Sequence, residues 1–252
     1  MLKQPTLEKL EGLKLTGMLK AYTEQMEIPD CEALGFDERF GLLLDREACE
    51  RDNRRLTYRL RKAKLRLAAC IEDIDYRHPR GLDKSVMLQL ASCGWMRTYD
   101  NCIITGPTGA GKTYLACALG QKACREDHSV LYMRVPRLFR DLAVARGDGR
   151  YTKMLAAFAR VDLMILDDWG TTRLTDEQRR DIFEILEDRY DRKSTLVAAQ
   201  LPVKHWHETI GDPTLADAIL DRIVHNAHKI SLKGESMRRK KKRLTKREGE
   251  GR

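Results

Sequence analysis

The chain has 252 residues, 34% of them charged and only 6% aromatic, with a formal net charge of +9. No apolar run comes near the roughly 18 residues of a membrane span, and Met1-Leu2-Lys3-Gln4-Pro5 lacks the apolar core of a signal peptide, so a cytoplasmic protein with no membrane partner is expected. Seven scattered cysteines without a C-x-x-C pair argue against a zinc ribbon or a disulfide framework and suit a reducing compartment.

In chain order, residues 5–27 read as helical, with an apolar face of Leu7, Leu10, Leu13, Met18, Leu19 and Tyr22 that Gly12 and Gly17 interrupt and Pro29-Asp30 ends. A second helix is expected from about Asp37 to Glu50. A third is expected from Glu50 to about Asp75, because Leu56, Leu60, Ala63, Leu67, Ile71 and Ile74 recur at three and four. Beside that apolar row lies a basic stripe of Arg51, Arg55, Arg59, Lys62 and Arg66. Residues 51–66 hold eight basic residues and a single acid, and residues 233–252 hold ten basic residues and three acids. Charge placed in this way is the footprint of a DNA- or RNA-binding surface rather than a general solvated face.

His78-Pro79-Arg80-Gly81 is a turn, and it closes an all-helical N-terminal module spanning 1–78. After a short helix over 84–91 the pattern changes to alternation. Strands are expected at 101–105, 130–133, 161–166, 195–199 and 229–232. Helices are expected at 112–124, 136–145, 151–159, 176–190 and 213–226, with a Thr175/Gln178 capping box and an Asp212-Pro213 start. This alternation predicts a parallel sheet with helices on both faces over 79–238. Residues 239–252 read as a disordered basic tail, with Arg239 and Lys240 as further phosphate contacts.

The chemistry sits at two strand ends. Gly106-Pro107-Thr108-Gly109-Ala110-Gly111-Lys112-Thr113 fits G-x-x-x-x-G-K-[ST] between a buried strand and a helix. In that context the backbone N–H groups cradle a triphosphate, Lys112 reaches its outer phosphates and the Thr113 hydroxyl ligates Mg²⁺. Leu163-Met164-Ile165-Leu166 ends in Asp167-Asp168. Asp167 is expected in the Mg²⁺ shell, and Asp168 is placed to orient or deprotonate an attacking water. Gln200 ends the fourth strand, where a group sensing the outer phosphate stands. The transition state also needs cations. Arg222 and Arg238 are candidates, although spacing alone does not separate either from a surface arginine. His205, His207, His225 and His228 lack further ligands at matching spacing and read as packing or surface residues.

The glycine loop, Leu166-Asp167-Asp168-Trp169-Gly170, Gln200-Leu201-Pro202-Val203, Gly211 to Arg222 and Gly234-Glu235-Ser236-Met237-Arg238 together resemble the IstB family. Its members are the ATP-binding helper proteins of IS21-type insertion sequences, within the AAA+ ATPases and similar to the helicase loader DnaC. Arg80-Gly81-Leu82-Asp83 and Ala145 to Tyr151 add to the likeness, which spans nearly the whole chain. The resemblance implies an AAA+ P-loop NTPase fold with strand order 5-1-4-3-2. It implies ATP-dependent self-assembly on double-stranded DNA and recruitment of a transposase. By the same resemblance Arg222 is the arginine finger acting on a neighbour's ATP, Arg238 the sensor-2 arginine acting in its own subunit, and Gln200 the sensor-1 residue. Asp168 stands where many AAA+ proteins have Glu, which implies slow hydrolysis. A helicase loader is the alternative, with its helicase-binding surface in residues 1–50.

Overall fold

The computed structural model describes residues 3–28, 33–234 and 237. Arg238, Arg239, Lys240 and the rest of the basic tail lie outside them. Among the described residues no helix is long and apolar enough to cross a membrane. The compact units divide between Tyr58 and Arg59, some twenty residues before the turn at 78 that the sequence suggested as a boundary.

The first unit is helical. In place of one helix over 5–27 there are two, α1 (Lys3–Gly12) and α2 (Thr16–Glu27). The break falls at Lys14, whose φ of 57° is left-handed. The two helices expected over 37–75 are likewise redrawn, as a single α3 (Phe36–Ala63). Its Glu47 carboxylate accepts the N–H groups of Gly17 (2.7 Å) and Met18 (3.2 Å), capping the start of α2. Burial tends to raise the Glu47 pKa, but the hydrogen bonds from Arg51, Met18 and Gly17 outweigh it and hold the carboxyl below its usual range. A Cβ on Gly17 would sit 2.6 Å from the Arg46 carbonyl oxygen, so only glycine lets α2 approach α3 this closely.

Helix α3 stops at Ala63 because Lys64 turns left-handed, with φ 51°. Residues 64–83 are then irregular up to α4 (Lys84–Ala91). Leu67, Ile71 and Ile74 mimic a helical period, yet the segment is held by α5 (Lys112–Arg125). Cys70 lies beside the Tyr114 hydroxyl, and Leu67 and Arg66 lie beside the Cys117 thiol.

The second unit holds five parallel strands: β1 (Asn101–Thr105), β2 (Val130–Arg134), β3 (Leu163–Trp169), β4 (Ser194–Ala199) and β5 (Ala227–Ser231). Their order is β2-β3-β4-β1-β5, which is the expected 5-1-4-3-2. Strand residues alternate between the two faces. Ile103, Met164, Leu166, Val197 and Ala199 join a core with residues of α6 (Val135–Gly147), α7 (Tyr151–Arg160), α8 (Asp176–Arg189), α9 (Trp206–Ile210) and α10 (Pro213–Val224). On the other face Ile165 lies beside Gly120 of α5. Trp169 and Trp206, ring centroids 5.4 Å apart, are both buried and serve packing. The Thr175/Gln178 capping box is present, and Asp212 caps α10 by accepting from the Leu215 N–H at 2.8 Å.

Candidate nucleotide site

The parallel sheet sends the C-terminal ends of its strands to one edge, where ligands of such folds bind. β1 leads there into the glycine loop. Gly106, Gly109 and Gly111 have φ values of 147°, 85° and 97°, which side chains rarely tolerate. Gly111 is also crowded: a Cβ there would lie 2.5 Å from Arg80 Nη1. The loop ends at Lys112, the first residue of α5, so the helix N-terminus faces a cavity of about 690 Å³. Its walls include Thr108, Gly109, Gly111, Lys112 and Thr113, together with Asp168 and Gln200.

The Lys112 ammonium donates to the carbonyls of Gly106 (2.7 Å) and Pro107 (3.0 Å), and the Thr108 hydroxyl to Gln200 Oε1 (3.0 Å). The Thr113 hydroxyl donates to Asp167 Oδ2 at 2.8 Å. Asp167 is 1% exposed and accepts also from the Tyr132 hydroxyl (2.6 Å) and the Asp168 N–H (2.9 Å). Burial and the Asp167 carboxylate together push the Tyr132 phenol far above its usual range, so it stays a donor.

A hydroxyl and a carboxylate side by side are hard oxygen donors, and among the described residues no group of three or more His, Cys, Asp or Glu could hold a metal. That combination suits Mg²⁺, which takes one or two protein oxygens and completes its shell with waters and phosphates. The residues that would hold it are Thr113 and Asp167.

Four residues of the cavity were not assigned to it from the sequence. Arg80, 2% exposed, donates to the Ala110 carbonyl of the loop (3.0 Å) and to the Asp75 carbonyl (3.1 Å), and burial lowers its pKa. Met237 lines the cavity, and its N–H donates to the Gly109 carbonyl at 3.0 Å. Arg66 and Arg134 line it too, with Arg134 Nε 2.6 Å and Arg66 Nη1 4.0 Å from Asp168 Oδ2. Arg80 and Met237 lie in segments that carry the family resemblance, Arg134 ends a parallel strand, and Arg66 stood in the sequence as a DNA contact.

The sequence profile of the family described as IstB-like ATP binding protein matches residues 8–245. The chain belongs to that family. A Sinorhizobium fredii protein named as an insertion-sequence ATP-binding protein is 56% identical over 243 residues, covering 96% of this chain and 99% of its own. Among solved structures, DnaI superposes with a TM-score of 0.57 at 21% identity, over 66% of this chain and 91% of its own. The DnaC helicase loader gives 0.55 at 20% identity, over 68% and 99%. The shared feature is the AAA+ fold, and ATP binding is the property that describes the family.

The IstB-like chain keeps Arg222 out of this cavity. Asn101, at the start of β1, donates to the Arg222 carbonyl at 2.9 Å, so Arg222 lies at the opposite end of the strand from the glycine loop. Its guanidinium pairs with Glu187 and lies 5.0 Å from the centre of the Phe183 ring. Four residues of the expected basic stripe share a face of α3, and the fifth, Arg66, lies beyond its end. Arg51 and Arg55 are on α3, ion-paired with Glu47 (2.7 Å) and Asp52 (2.6 Å), and both are at least half exposed. Lys62 is exposed near the end of α3. Arg59 is only 17% exposed, tied to the Cys124 carbonyl (2.8 Å) and Asp127 (2.5 Å). Arg66 lies past the helix, in the nucleotide cavity.

Proposed function

We propose that this IstB-like chain is an ATP-driven switch of transposition. It assembles on duplex DNA with ATP, hydrolyses that ATP slowly, and recruits the transposase of the same insertion sequence. The observation that carries this reading is the joint placement of the glycine loop, the Thr113–Asp167 pair and Asp168 around one cavity. ATP is the substrate. Lys112 leaves its loop carbonyls for the outer phosphates, and Thr113 with Asp167 holds Mg²⁺, which offsets phosphate charge. Asp168 orients the attacking water. Gln200, already bonded to the loop through Thr108, senses the outer phosphate.

One feature supports action between subunits and another supports action within one. Arg222 is at the far end of β1, so as a finger it acts on ATP held by a neighbouring copy. Arg238 directly follows Met237, whose N–H is bonded to Gly109, which supports a role in its own subunit. Arg51, Arg55 and Lys62 are the proposed phosphate contacts of α3, joined by Arg239 and Lys240. Arg59 and Arg66 contribute less, since one is tied down and the other faces nucleotide. The helicase-loader alternative shares this ATP site and differs in partner; membership of an insertion-sequence family favours transposition.

Electron microscopy of the full chain with duplex DNA, with and without ATP, tests the proposal. A ring or helical assembly on DNA that needs ATP is expected. A monomer indifferent to both would overturn it.

A further inference from the structure

A buried cation lies against the glycine loop. Arg80 is 2% exposed, and its backbone is pinned on both sides. Its N–H donates to the His78 carbonyl and its carbonyl accepts from the Lys233 N–H, each at 2.8 Å. The guanidinium donates through Nη2 to the Asp75 carbonyl (3.1 Å) and through Nη1 to the Ala110 carbonyl (3.0 Å), with the Met237 sulfur also 3.0 Å from Nη1. Its Nε is buried and has no partner among the described residues. Among the same residues no carboxylate stands at ion-pair distance from the group. Asp75, Tyr76 and Tyr114 act on it from farther away, and burial outweighs them, lowering its pKa.

A buried cation without an ion-pair partner destabilises a fold unless an anion completes it. The cavity that Arg80 lines is the one formed by the glycine loop. The peptide between Ala110 and Gly111 is trans, so its carbonyl and its N–H point to opposite sides. Arg80 takes the carbonyl. The Gly111 N–H has no hydrogen-bond partner among the described residues, and Gly111 lines the cavity. A charged donor at one end of a peptide unit polarises it and strengthens the donor at the other end. Arg80 thus fixes the direction of this N–H and raises its pull on an anion.

We propose that Arg80 is a positioning residue for nucleotide: through the Ala110–Gly111 peptide it aims and strengthens a loop N–H toward the α- and β-phosphates, which in turn supply its counter-charge. This role rests on the glycine loop being the ATP site. Loop N–H groups of this kind cradle the α- and β-phosphates, whereas the lysine reaches the β- and γ-phosphates. Arg80 therefore serves ATP and ADP alike.

The test titrates ATP and ADP into wild-type protein, R80K, R80Q, R80M and K112A. For each, kcat and KM for ATP hydrolysis and the unfolding temperature with and without ADP are also measured. R80Q and R80M are expected to bind both nucleotides about tenfold more weakly, the difference between a charge-assisted and a neutral hydrogen bond. The loss should fall on KM, with kcat changed by less than about twofold. R80K keeps the charge without the planar fork and should stay within about threefold of wild type. ADP should raise the unfolding temperature of wild type more than that of R80M, a reading that holds even where R80M is the less stable protein. Wild-type affinity for ADP in both neutral variants, with K112A impaired, would overturn the role of Arg80 alone. So would an R80K as weak as R80M, which would leave a brace in which charge plays no part. Wild-type affinity in K112A would instead remove the glycine loop as the site.

Discussion

The two ends of the parallel sheet treat arginine in opposite ways. At the C-terminal end Arg66 and Arg134 face a cavity and reach a carboxylate that is itself proposed to act. At the N-terminal end Arg189 is 1% exposed and donates to the carbonyls of Phe158 (2.6 Å), Val161 (2.8 Å) and Ser194, and to the Thr195 hydroxyl (3.1 Å). Its neighbour Arg222 is paired with Glu187 across two aromatic rings. Arg66 and Arg134 can change partner when an anion arrives, whereas Arg80 beside them is held by backbone carbonyls. Arg189 is committed to backbone, and Arg222 occupies a middle position, held by the exposed carboxylate of Glu187 and by the Ala218 carbonyl (3.0 Å), with Asp221 4.0 Å away. Arg66 and Arg134 at one end thus differ from Arg189 at the other, and the proposed finger, Arg222, lies on the side of Arg189.

The sharpest way to break that comparison is Arg222→Ala. Acting from a neighbour, it is expected to lower hydrolysis on the order of 10³-fold while leaving nucleotide affinity in place. Mixing R222A with Lys112→Ala protein should restore part of the activity, because a mixed interface joins an intact loop to an intact finger. If the mixture stays inactive, Arg222 does not act between subunits. Lys112→Ala alone comes next, with nucleotide affinity expected to fall on the order of 100-fold through loss of charge-assisted phosphate contacts; titration with a fluorescent ATP analogue reads it. The smallest effect is expected for Arg189→Lys. A point charge cannot replace a planar fork of donors, so unfolding stability should drop by about 1–2 kcal/mol in a denaturant titration, with nucleotide affinity unchanged. A change in affinity there would erase the distinction between the two ends.

The phosphate end was legible in the sequence because each part carries local chemistry. Three glycines before a lysine sit between an apolar strand and a helix, and Asp167-Asp168 follow four apolar residues. The strand order came with the family resemblance, and the sheet has it. Helix α3 was overextended because Leu67, Ile71 and Ile74 keep a spacing of three and four. Ile71 and Ile74 are indeed buried, but on an irregular strap beside Tyr114 and Cys117 of α5. A left-handed Lys64 has no signature in sequence. Arg80, Arg66 and Arg134 were hidden for a different reason. The chain has 47 Lys and Arg residues, and only tertiary structure separates the few that turn inward. The pairing of Arg222 with Glu187 spans thirty-five positions, beyond any local pattern.

Asn101 gives the arrangement a further meaning. Its amide donates to the carbonyls of Arg222 and Ile223 and accepts from the Thr195 N–H at 2.9 Å. One side chain thereby locks the end of α10 to the start of β1, and β1 runs five residues, about 16 Å, to the glycine loop. In an assembly where each finger meets the next subunit's ATP, this strand is a ruler. There the separation between a subunit's own glycine loop and its finger would be set by backbone of fixed length.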